Sequence, residues 1–165
     1  MDKDLKTKFD LIILKDVIEH IPNQENVVPQ LKKFLKPGGK IFFGFPPWYM
    51  PFGGHQQITK SKFLGILPWF HLLPIPIYKG LLHLFGEPEN VIQELLEIKS
   101  TGISVERFER ITKQSKMKVV KKQYFFTNPI YKFKFGFKVI KQPAITSNIP
   151  FIRNFYSTAA YYLIE

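Results

Sequence analysis

The sequence predicts an α/β fold built on an open, mainly parallel sheet. Two observations carry most of that expectation. The apolar run "FDLIIL" (9–14) and the run "KIFFGF" (40–45) flank a segment of helical periodicity, and a second helix-to-strand pattern recurs over 104–126. Alternating strands and helices of this kind imply right-handed crossovers between neighbouring parallel strands.

In the first run, Leu11, Ile12, Ile13 and Leu14 are consecutive rather than alternating. That reads as a strand covered on both faces. The polar cluster after it, "KDVIEH" (15–20), then falls at the carboxyl end of the strand, where open α/β sheets bind ligands. An ordinary loop, with Asp16 in a turn and Glu19 and His20 solvated, is the alternative reading. Val27, Val28, Leu31, Phe34 and Leu35 then mark a helix ended by Pro37, and Gly38 and Gly39 turn the chain into a strand over 40–45.

Ser104 is placed to cap a helix that presents Val105, Phe108 and Ile111 on one face, and a strand follows it to about residue 126. Between residues 131 and 141, "YKFKFGFKVIK" alternates aromatic and lysine positions, the period of a strand. An antiparallel β-ribbon is therefore expected there. "STAAYYLI" (157–164) suits a closing strand. Residues 63–86 are apolar, but Pro68, Pro74 and Pro76 break any continuous span, and short helices forming a lid or a satellite core are expected instead.

"FDLIILKDVIEHI" followed about twenty residues later by "LKPGGKIFF" resembles the fourth and fifth strands of class I S-adenosylmethionine-dependent methyltransferases. The helix and strand over 104–126 and the strand over 157–164 are similar to that family's late helix, sixth strand and antiparallel seventh strand. Ser115, Lys116 and Met117 stand where the family usually has alanine, glycine and an aromatic residue. The resemblance implies the C-terminal half of a Rossmann-like methyltransferase sheet with a helical lid insertion. The expected organisation is a single partial domain: strand-helix-strand core over 1–58, lid over 59–103, and late helix, strands and basic ribbon over 104–165.

The family's glycine-rich cofactor loop has no counterpart, for no GxGxG stretch occurs. The expectation is thus a fragment, a truncated product or one half of a split enzyme. S-adenosylmethionine would be the cofactor of the complete enzyme, approached by Lys15 and Asp16. Glu19, His20 and His55 are the candidates for acceptor binding and proton removal, with Gly53 and Gly54 turning the backbone so that His55 points back over the strand ends. Asp16, Glu19, His20 and His55 also resemble the metal-binding set of small-RNA 2'-O-methyltransferases. Because Asp16 replaces the first glutamate and the downstream histidine pattern is not evident, no metal is assigned. His71 and His83 are read as packed or exposed rather than as ligands.

Charge is unevenly placed. Residues 1–110 hold 14 Lys and Arg against 12 Asp and Glu, whereas residues 111–165 hold 10 against 1. The basic part would face an anionic or amphipathic small-molecule acceptor or a membrane surface. Nucleic acid is set aside, since no recognition motif accompanies the lysines. The partners expected are an N-terminal half or a second copy, giving a dimer. The competing class is a non-catalytic remnant serving assembly or membrane-surface binding. No cysteine is present, and the charged start of the chain does not read as a leader, so a cytoplasmic, membrane-peripheral location is expected.

Overall fold

A computed structural model describes residues 7–165. The charged N-terminal residues, read above as excluding a leader, lie mostly outside it. Five strands form one mixed sheet in the order β1-β2-β5-β3-β4. They are β1 (Phe9–Lys15), β2 (Leu35–Phe45), β3 (Val119–Thr127), β4 (Ile140–Lys141) and β5 (Ala159–Ile164). β1 runs parallel to β2, while β5 lies antiparallel between β2 and β3. The expected antiparallel closing strand is therefore present, beside the strand over 40–45.

The first crossover is shorter and the second strand longer than expected. Helix α1 (Gln24–Leu31) passes into a 3₁₀ turn over Lys32–Phe34, and β2 already begins at Leu35. Phe9 pairs with Leu35 and Leu11 with Lys40, so the residues between them on β2 bulge out of the ladder. Gly38 sits in that bulge with a positive φ of 76°.

Helix α1 and helix α5 (Val105–Gln114) cover one face of the sheet. Ser104 caps α5 as expected, its hydroxyl accepting from the Arg107 N–H at 3.1 Å. Phe108 is the centre of this layer, with its ring 4.9 Å from Phe43, 5.0 Å from Phe45 and 4.7 Å from Tyr162. Val28, Ile41, Val105, Ile111 and Ile164 complete a dry core around it.

The other face departs from the expectation of a strand buried on both sides. Leu11 is 49% and Ile13 63% exposed, because β1 is an edge strand and the described residues place no helix over these side chains. Consecutive apolar residues predict two covered faces only when a neighbour exists for each. Phe42, Tyr161 and Phe125 continue this face as a row of edge-to-face aromatic contacts.

Residues 59–103 are helical, as expected. Helices α2 (Lys62–Ile66), α3 (Ile75–Leu84) and α4 (Glu89–Thr101) enclose a second core of Leu64, Phe70, Tyr78, Leu82, Ile92 and Leu95. No helix among the described residues is long and apolar enough to cross a membrane.

The antiparallel β-ribbon is the main correction. Residues Ile130–Phe135 form helix α6, and only Ile140–Lys141 pairs with β3. Asn128 and Pro129 start the helix: the Asn128 side chain accepts from the Ile130 N–H at 3.2 Å, and Pro129 is set at φ −52°. Tyr131 and Phe135 meet at 5.6 Å one turn apart, and Gly136 at φ +72° ends the helix in the left-handed region. Alternation alone could not hold a strand with no ladder partner along its length. Two short helices, α7 (Ala144–Ser147) and α8 (Ile152–Phe155), lead from β4 to β5.

Candidate functional site

At the end of β1 the chain turns sharply. Asp16 adopts φ +52°, and its N–H donates to the Gly44 carbonyl at 2.7 Å, extending the parallel ladder by one residue. Lys15 and Asp16 form an ion pair at the surface. A 3₁₀ turn over Ile18–His20 follows, anchored by fully buried Ile18. The Gln24 side-chain amide donates to the Ile18 and Thr101 carbonyls, both at 2.7 Å, and so ties this turn to the end of α4.

That anchoring buries Glu19, which is only 5% exposed, with neither carboxylate oxygen hydrogen-bonded. Burial pushes its carboxyl up to about 7; nearby Asp16 adds to this, while Lys15 opposes it. His20, on the same turn, is exposed.

His55 arrives from the segment after β2. The backbone turns over residues 51–54 with neither glycine at a positive φ, and His55 itself takes the left-handed conformation at φ +54°. Gly54 is needed for close approach, since a Cβ there would lie 2.1 Å from the Cβ of His71. His71 is fully buried, with its Nε2 2.7 Å from the Trp48 carbonyl, and burial lowers its pKa to about 4. It is thus a neutral packing residue that holds the loop, in keeping with the expectation for the lid histidines. His83 is half-exposed near Glu89.

The sequence candidates therefore converge. The His20 and His55 rings meet edge-to-face at 4.9 Å, and the ligand-capable atoms of Glu19, His20 and His55 all lie within 4.8 Å of one another. Burial, and then His20, lower the pKa of His55, leaving a neutral imidazole beside a carboxyl that titrates near neutrality. The expected carboxylate that orients the histidine ring is close by but makes no hydrogen bond to it.

Two cavities meet at this cluster. One, of about 340 Å³, is lined by Asp16, Glu19 and His55 together with Asn128, Tyr131 and Lys134. The other, of about 420 Å³, lies between His20, His55 and the Glu94 and Glu97 side of α4. Asn128, Tyr131, Lys134, Glu94 and Glu97 were not among the sequence candidates. Reading 131–141 as a ribbon hid Tyr131 and Lys134, although the Asn128-Pro129 pair just before it is itself a turn signal. Lys15 is at the strand end as expected, beside Asp16 but not among the residues lining either cavity.

Comparison with known proteins adds a second line of evidence for this stretch. Residues 1–52 match the family model of a methyltransferase domain. The methyltransferase-like stretch contains β1, α1, β2, Asp16, Glu19 and His20. Over 65 residues, 39% of its length, this chain is 35% identical to the ubiquinone biosynthesis O-methyltransferase of Idiomarina loihiensis, 23% of which is covered. An uncharacterized methyltransferase of Mycobacterium bovis is 32% identical over 56 residues, or 34% of this chain and 22% of the relative. The matched stretch thus spans under a quarter of the length of either relative.

Proposed function

We propose that this chain is the carboxyl-terminal part of a methyltransferase core that transfers a methyl group from S-adenosylmethionine to an oxygen or nitrogen of an acceptor held at Glu19, His20 and His55. The observation that carries this reading is their convergence within 4.8 Å at the carboxyl ends of β1 and β2, next to Asp16. The direction of the strands supports it, because the resembled half-fold also runs its closing strand antiparallel beside its fifth, as β5 runs beside β2.

S-adenosylmethionine, when bound, supplies a methyl group already activated as a sulfonium. The donor set here suits a cationic cofactor: Asp16 is an accessible carboxylate, and buried Glu19 has no cation hydrogen-bonded to it. Asp16, with Lys15 behind it, would face the methionine portion. The glycine-rich loop and the carboxylate for the ribose would come from an N-terminal half. His55, neutral at pH 7, would accept the acceptor's proton as the bond to the methyl carbon forms and its bond to sulfur breaks, and Glu19 would stabilise the resulting imidazolium.

A second reading, favoured by the unpartnered oxygens of Glu19, gives Glu19, His20 and His55 to a divalent ion that would orient the acceptor. Tritiated methyl transfer separates the readings, with the chain assayed alone and together with a separately supplied N-terminal methyltransferase half. Transfer is expected only in the mixture. His55→Ala should lower turnover about 10²- to 10⁴-fold with cofactor affinity nearly unchanged. Loss of activity on chelation would favour the ion. Full activity of the His20→Ala/His55→Ala variant would sink both assignments, and no transfer under any pairing would favour a non-catalytic assembly module.

A further inference from the structure

The stretch from α6 to α8 combines two properties that are seldom found together on a free surface. Its large apolar side chains point outward: Phe133 is 81% exposed, Ile145 77% and Phe151 64%, with Phe135 and Phe137 also exposed and in contact at 5.6 Å. It is also purely basic, for no Asp or Glu occurs between Glu109 and Glu165. Lys132, Lys134, Lys138 and Lys141 are exposed, and none forms an ion pair among the described residues. Arg153, in contrast, is buried against Glu106 and Glu109 at 2.8 Å, so the stretch is pinned to α5.

We propose that residues 130–156 are a docking surface for an anionic lipid bilayer. Aromatic and aliphatic side chains that project from short helices enter the boundary between headgroups and acyl chains, while lysines on the same stretch meet anionic headgroups. A second copy of the chain fits poorly, because it would set lysine against lysine across an interface. Single-stranded nucleic acid fits less well than lipid. Interspersed with the aromatic rings, Ile140, Ile145, Ile149 and Ile152 are exposed too, and they have no ring on which a base could stack but do enter an acyl-chain boundary. Docking would be in the plane of the surface, as no described helix can span.

The site gives the surface a use beyond anchoring. Helix α6 contributes Ile130, Tyr131 and Lys134 to the cavity that also holds Asp16, Glu19 and His55. A docked α6 would therefore bring one wall of that cavity to the headgroup layer, where an amphipathic acceptor resides. The docking itself stands on exposure and charge and does not depend on methyl transfer.

Flotation of the full chain with vesicles tests it. Binding is expected to phosphatidylcholine vesicles containing about 30% phosphatidylglycerol, and it should fall sharply in about 0.5 M salt. Lys132→Gln and Lys138→Gln should each lower partition about fivefold. Phe133→Ser with Phe137→Ser should lower it more than tenfold at unchanged circular dichroism. No flotation with anionic vesicles, or equal flotation of both sets of variants and the parent chain, would overturn the proposal. Retention on single-stranded RNA without flotation would overturn it in favour of nucleic acid. Vesicle binding is read without turnover, so failure of the methyl-transfer reading leaves this measurement intact, and the reverse also holds.

Discussion

Glu19 illustrates how one side chain can be set by its neighbours rather than by its own chemistry. A carboxyl with a pKa raised to about 7 prefers its neutral form in the folded chain, whereas the unfolded chain ionises it near 4.5. Its favourable contribution is therefore complete below about 4.5 and is lost as pH rises through about 7. Glu19→Gln should flatten that part of the stability profile and make the chain more stable than the parent at pH 8. Chemical denaturation of both chains at pH 5 and pH 8 reads the difference, since neutral, buried His71 shifts both alike, and a parent-to-variant gap that does not change between those values would show that Glu19 is solvated. Asp16 and His55, both at positive φ beside it, add backbone strain at the same place, a frequent feature of functional sites.

At the scale of elements, α8 is held by a polar cluster instead of an apolar face. The Arg153 guanidinium donates to Glu106 and Glu109, the Asn154 side chain accepts from the Val105 N–H at 2.8 Å, and the Tyr162 hydroxyl donates to Glu109 at 2.9 Å. Burial works against the charge on both glutamates, but hydrogen bonds outweigh it and hold each below the usual carboxylate range. Their stabilising effect is present above the unfolded pKa and is lost as pH falls through the lowered value. Arg153→Ala, which leaves two partly buried carboxylates uncompensated, should cost about 3 kcal/mol at pH 7 and less in acid. Thermal unfolding at the two pH values checks it, and an unchanged midpoint would mean that the cluster is solvated.

For the whole molecule, the exposed side of the sheet is the dominant liability. Among the described residues, Leu11 and Ile13 lie on an edge strand with unpaired backbone groups, next to the Phe42, Tyr161 and Phe125 row. Such an edge recruits a partner, either a complementary half or another copy. Light scattering at micromolar concentration should show association that Leu11→Lys with Ile13→Lys abolishes. A monomeric parent with cooperative unfolding would show that the face is tolerated uncovered. Net charge of +11 opposes close self-packing, so association should strengthen with salt if copies pair through this face.

Local pattern determined more of this protein than its length would suggest. The β1-α1-β2 unit, the Ser104 cap with Phe108 on the buried face of α5, the helical character of residues 59–103 and the closing β5 were all legible, because each rests on spacing or caps within a few residues. Glu19, His20 and His55 were legible as candidates because they follow strand ends. Only the tertiary structure decided that Glu19 is buried without a partner, that His20 and His55 touch, and that Tyr131 faces the same cavity. It also decided that aromatic-lysine alternation becomes α6 and that "LIIL" is exposed on one side. These depend on which distant segments lie alongside one another. Burial, desolvation and strand partnership are properties of neighbours in space, which periodicity along the chain does not encode.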